Sequence, residues 1–212
     1  MKKTALIVVF TLLSCYCFAK GKWENFEVGA ASPYFVEKAN VSGIDVKTRM
    51  PAWAINFSGV SYYTETLGSG LYANLIFPQK IKISSMGQSV EFDKSEYDFL
   101  LAADVLVGPV FMVYENGNFA LPVAAGFHCL QLWSSANSLN ASCYELGFGT
   151  NVTGEYHITR NIYFLARFQL TFDFFSIDTE EQYVGHKKVR TVNSGTLAAW
   201  GVNPTVGIGF HF

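Results

Sequence analysis

From Phe26 onward the chain alternates apolar and polar positions with a period of two, in segments bounded by turn chemistry. That period is the signature of strands with two unlike faces. Eight segments carry it: Phe26 to Phe35, Ala52 to Tyr63, Leu71 to Ile83, Asp98 to Tyr114, Phe119 to Gln131, Cys143 to His157, Ile162 to Phe175, and Leu197 to Phe212. No helix-period stretch, internal repeat or low-complexity tract interrupts them. Each is long enough to cross a bilayer as a tilted strand, which takes roughly 9 to 11 residues.

The connections alternate in length. Short turns are ETLGSG (Glu65 to Gly70), ENGN (Glu115 to Asn118) and TRN (Thr159 to Asn161); long loops are expected at 37–50, 82–97, 133–142 and 178–196. An even number of strands then puts both termini on the short-turn side, as in outer-membrane barrels with periplasmic turns and extracellular loops. The expected fold is all-β, an eight-stranded antiparallel up-and-down transmembrane β-barrel forming one domain over residues 20–212.

The parity of the charges tests this. Bulky apolar residues set each outward face, for example Trp53, Ile55 and Phe57, or Phe164, Phe168, Leu170 and Phe172. The charged residues inside the strands, Glu27, Lys80, Asp98, Asp104, Glu145, Glu155, Arg167 and Asp173, all land on the opposite face. A lipid-facing Arg or Lys at the midplane would cost roughly 2 to 4 kcal/mol, so the separation has a physical reason. A secreted lipocalin-like barrel is the structural rival. Against it, the inward face is rich in small polar residues suited to a crowded lumen, such as Gly147, Gly149, Asn151 and Thr153, and the other face carries more aromatic bulk than one calyx could hold.

Composition agrees. The chain is 50% hydrophobic and only 15% charged, against roughly 25% charged in an average soluble domain. A net charge of -2 with no basic patch gives no argument for nucleic acid. Lys2 and Lys3, the apolar run Ala5 to Leu13 and a short polar stretch read as a cleaved signal peptide over residues 1–19. A competing reading takes LLSC, Leu12 to Cys15, as a relaxed lipobox acylated at Cys15. No other apolar run reaches the roughly 18 residues that a transmembrane helix needs.

The closing segment, with Val206, Ile208, Phe210 and Phe212 at every second position, resembles the last strand of the small bacterial outer-membrane barrels of the OmpA, OmpX and OmpW type. The resemblance covers the whole mature chain. It implies residence in the bacterial outer membrane among its lipids, and handling during biogenesis by periplasmic chaperones and the barrel-assembly machinery, which reads those four residues. It also implies OmpW-like passive passage of small solutes, apolar ones among them, that leave sideways through the wall. The mid-strand prolines Pro109 and Pro122 remove ladder donors and would mark a weak place in that wall. The alternative is a non-transporting structural or adhesive surface protein whose loops meet host molecules.

The inward charges are the candidate functional residues. Arg167 is expected to bridge Glu27 and Glu155, with Lys80 near Asp104 and with Asp173 and Glu145 on the other wall. Buried charges of this kind must be paired or hydrated, as plugs or as a polar gate that would favour cations. No catalysis is expected: His128 points inward while Ser134 and Ser135 lie in a loop. No cofactor or metal is expected either, because the histidines are scattered and the cysteines lack ligand spacing. Cys129 and Cys143 bracket a loop, where export permits a disulfide, but their opposite phases oppose a direct bond unless a bulge shifts one, and weigh toward two free thiols.

Overall fold

The structure, a computed structural model, describes residues 25–41, 44–137, 139–184 and 187–212. The expected signal peptide and the alternative processing at Cys15 lie outside them. Eleven strands follow in order: β1 (Asn25–Ala31), β2 (Tyr34–Val41), β3 (Ile44–Tyr62), β4 (Leu67–Pro78), β5 (Lys80–Ser85), β6 (Gln88–Asp93), β7 (Phe99–Asn116), β8 (Phe119–Ala136), β9 (Leu139–His157), β10 (Ile162–Val184) and β11 (Lys187–His211).

Every pairing is antiparallel, and β1 closes the ring by pairing with both β11 and β3. Around the ring the order is β1, β3, β4, β7, β8, β9, β10, β11. β2 continues β1 between the same two neighbours. The break between them falls at Ser32 and Pro33, where proline has no N–H to give the ladder; the Ser32 N–H reaches Pro204 O, and Pro33 O accepts from the Ala52 N–H. The eight-stranded ring thus stands as the alternation implied. Among the described residues no helix is long and apolar enough to cross a membrane; in a barrel the strands do so.

β10 shows why the pattern produces this wall. Tyr163, Leu165, Arg167, Gln169, Thr171 and Asp173 are buried, while Phe164, Phe168, Leu170 and Phe172 between them are exposed. Period-two side chains on a closed sheet have only a lumen and an outside to face. A register shift between Asp173 and Phe175 then turns Ser176 inward instead of its neighbours. The exposed outer band is apolar around the ring, from Phe26 and Trp53 through Phe111, Phe127 and Phe148 to Trp200 and Phe210.

The segments expected as long loops are built differently. Three are continuations of paired strands: β2 with β3, β8 with β9, and β10 with β11 out to Val184 opposite Lys187. The fourth is the β5–β6 hairpin plus a 3-10 turn at Lys94–Glu96. Ladders satisfy many of the backbone groups there, although β6 pairs with β5 alone. These extensions form a crown at the end opposite the short turns, hereafter the turn end.

Two charges expected in the lumen, Lys80 and Asp98, belong to this crown instead. Pro78 ends β4, so Lys80 starts a new strand whose phase is no longer tied to the lumen. It lies opposite Asp93, half exposed, with Nζ 2.6 Å from Glu91 Oε1. Asp98 is exposed just before β7, its N–H bonded to Ser135 O at 2.9 Å.

The lumen above its middle is not polar throughout. Phe35, Met50, Ile76, Ile81, Leu100 and Leu130 pack with small alanines into a buried apolar cluster. Nearer the turn end a second cluster joins Val60, Tyr72, Leu106, Val110 and Ala124. Gly126 permits close approach of β7 and β8: a Cβ there would lie 2.0 Å from Val107 O.

Candidate functional site

Arg167 on β10 organises the lower lumen. Its Nε donates to Thr153 Oγ1 at 2.8 Å, and Nη1 donates to Asn56 Oδ1 at 3.0 Å and Ser58 Oγ at 2.8 Å. Nη2 forms an ion pair with Glu27. Glu27 also accepts from Ser58 Oγ at 2.5 Å and from the Tyr163 hydroxyl at 3.0 Å. The guanidinium carbon sits 4.5 Å from the Tyr72 ring centroid. A planar cation with a fixed fork of donors is well suited to tie several strands at once.

A second tier lies above. Asn56 Nδ2 donates to Asn74 Oδ1 at 2.9 Å, and Asn74 Nδ2 donates to Asp104 Oδ1 at 2.5 Å. His128 Nδ1 lies 2.8 Å from Asp173 Oδ1, and its Nε2 lies 3.8 Å from Asp104 Oδ2. Asn56 joins the tiers, so hydrogen bonds run from Glu27 on β1 to Asp104 on β7. Glu27, Asp104, His128, Arg167 and Asp173 are all nearly inaccessible to solvent. Burial of so many polar groups is tolerable because most are paired.

The sequence-derived residues distribute as follows. Glu27, Asp104, Arg167 and Asp173 meet in this network, and Glu145 is buried on β9 opposite Ser176. Glu155 is buried but its carboxylate carries no hydrogen bond, so Arg167 does not bridge both glutamates. Asn56, Ser58, Tyr72, Asn74, His128, Thr153 and Tyr163 join the network although only the inward phase of their strands marks them in the sequence. Lys80 remains outside: its hydrogen bond to Glu91 holds the ammonium above its ordinary range, and the same bond holds the Glu91 carboxylate below its own.

Cys129 and Cys143 are free thiols. Cys129 pairs with Leu146 and Cys143 with Leu132, three positions apart along adjoining strands and therefore on opposite faces, a geometry that forbids a direct bond. His128 is committed to Asp173, and Ser134 stands six positions along β8, about 20 Å away at strand spacing. The scattered-histidine expectation needs correction at one place: Glu155, His157 and His211 bring ligand atoms within 4.8 Å of one another at the turn end. They border a cavity of about 370 Å³ that Asn25, Tyr62 and Glu115 also line.

No family model matches the chain, and no curated protein is similar to it in sequence. Its shape does find counterparts. The outer membrane protein OprG from Pseudomonas aeruginosa superposes with a TM-score of 0.59 at 9% identity, covering 91% of this chain and 97% of that one. This is the fold of the bacterial outer-membrane β-barrels. The outer membrane protease OmpT from Escherichia coli matches with a TM-score of 0.56 at 9% identity over 91% of this chain and 98% of its own. The outer membrane protein AlkL matches at 0.55 and 11% identity over 91% and 90%. At such identities the likeness is one of fold; the outer-membrane barrel is common to proteins as different as a protease and OprG.

Proposed function

We propose that the chain resides in the bacterial outer membrane as a barrel closed along its axis, acting through its crown as a structural or adhesive surface protein. The observation that carries this is Arg167, whose side chain crosses the lumen to Tyr72 and fills the space an axial pore would need. With the crown outward, charges of both signs face the medium, including Lys38, Asp45, Lys82, Glu91 and Arg190. Single-channel recording on refolded protein in a planar bilayer tests the closed axis: a folded protein that gives no conductance steps supports it, and steady cation-preferring steps would refute it.

A second reading, passage of small apolar solutes that leave sideways through the wall, is favoured by one specific observation. The β7–β8 register runs from Val107 opposite Phe127 directly to Val110 opposite Ala124, skipping Gly108 and Pro109. The β8–β9 register likewise skips Leu121 and Pro122. Missing ladder bonds weaken a wall where they fall, and the apolar cluster of the upper lumen suits an apolar guest. Liposome uptake of an apolar solute that falls in a Pro109→Val, Pro122→Val double variant would favour this reading; uptake equal to that of protein-free liposomes would eliminate it.

A further inference from the structure

We infer that Glu155, His157 and His211 form a binding site for a divalent transition-metal ion of the zinc type at the turn end of the barrel. The three residues come from the ends of two strands that flank β10. His157 pairs with Tyr163 on one side of β10 and Gly209 pairs with Tyr163 on the other, which brings His211 round to the same rim. Their ligand atoms lie within 4.8 Å of one another. His157 Nε2 and Glu155 Oε2 are 3.7 Å apart, too far for a hydrogen bond but close to the separation of about 3.4 Å that two ligands on one tetrahedral ion require at ordinary zinc bond lengths.

An independent observation points to a ligand. Glu155 is 1% exposed, yet neither of its carboxylate oxygens has a hydrogen-bond partner. A buried carboxylate without a partner is expensive, and the guanidinium nearest in the network is committed to Glu27. The same cavity is lined by Asn25 and Tyr62, whose Oδ1 and hydroxyl are also buried without partners. Several oxygen atoms with nothing to accept from thus border one space of about 370 Å³, which accommodates an ion and its water.

The donor set selects the ion. Two imidazoles and one carboxylate suit zinc, cobalt, nickel or copper, whereas magnesium and calcium prefer oxygen throughout. Three protein ligands leave a coordination position open toward the cavity, to be taken by water. Tyr163 supports the ligands: its ring centroid lies 5.2 Å from that of His157 and 5.4 Å from that of His211. Its hydroxyl donates to Glu27, so the site is continuous with the lumen network. A bound ion would fasten β9 to β11 across the end of β10.

Untagged protein, refolded in detergent and stripped with EDTA, provides the test, with Zn²⁺ and Co²⁺ as the probes. Dialysis against micromolar Zn²⁺ should leave one ion per chain, undisplaced by millimolar Mg²⁺, and raise the unfolding temperature. Co²⁺ should give the visible absorption bands of a four- or five-coordinate site. Glu155→Gln and His157→Asn should each weaken retention about tenfold or more, since loss of even a ligand's outer-shell partner costs about that much, with folding followed by heat-modifiable gel mobility. The wild-type Co²⁺ spectrum decides even if every variant misfolds: absence of those bands, or of stoichiometric zinc, overturns the assignment. Folded variants that retain zinc as the wild type does would overturn it equally.

Discussion

Arg167 and Tyr72 touch across the full width of the barrel: the guanidinium carbon lies 4.5 Å from the ring centroid. Their strands, β10 and β4, stand four places apart in either direction around the eight-stranded ring. A cation–π contact between diametrically opposed strands can form only if the lumen is filled at that level. Bonds from the same side chain to β1, β3 and β9 make this a crosspiece fastened to five walls. The tier above repeats the arrangement with Asp104, His128 and Asp173.

Removal of the crosspiece leaves Glu27 buried and unpaired. Loss of one partner of a buried pair costs about 3 to 5 kcal/mol, so Arg167→Ala should lower stability by that order in urea unfolding followed by tryptophan fluorescence. Arg167→Met with Glu27→Gln should recover a good part of the loss, since the stranded charge is gone. A single variant as stable as the wild type would show that the network is ornamental.

In the upper tier His128 holds Asp173 at 2.8 Å. Asp173→Ala should destabilise by about 1.5 to 3 kcal/mol, the usual contribution of a hydrogen bond to a charged group. Ser134→Ala, on the same strand but outside the tier, should change stability little. Equal effects from the two substitutions would contradict the tier's existence.

The neighbouring position tests which face meets lipid. Phe168 is 48% exposed, one residue from the buried Arg167. Phe168→Arg should cost roughly 2 to 4 kcal/mol if it lies near the bilayer midplane, and the folded fraction in phospholipid vesicles should drop accordingly. A neutral outcome would mean that this face is wetted by water.

Gly126 tests the close approach of β7 and β8. An added methyl would meet Val107 O at 2.0 Å and Gly108 Cα at 2.7 Å, backbone atoms of β7 that cannot swing aside as a side chain would. Gly126→Ala should therefore reduce the yield of heat-modifiable folded protein markedly, whereas Gly195→Ala, which meets nothing within 4 Å, should leave it unchanged.

What could be read from the sequence was what strand phase controls. In β10 the alternation from Tyr163 to Asp173 names the lumen side without ambiguity, and Glu27 and Arg167 are legible as inward charges because lipid excludes them. Phase failed where a strand was broken: β4 ends at Pro78, so Lys80 could not be placed by counting from Leu71. It failed also where both faces are apolar, as in Phe99 to Ala102, so the apolar cluster around Leu100 was hidden. The crown resisted because segments such as DTEEQYV, Asp178 to Val184, carry little alternation; their ladder to Lys187–Asn193, rather than pattern, makes them strand. His157 and His211 are 54 positions apart in number, and only the register through Tyr163 shows that they are neighbours.

The closed axis is tested most directly by single-channel conductance of the refolded wild-type protein in a planar bilayer, with folding confirmed on the same sample by gel mobility. The filled lumen predicts a silent trace over a wide voltage range. Reproducible unitary steps from folded protein would contradict it, because an ion path would then exist where Arg167 meets Tyr72.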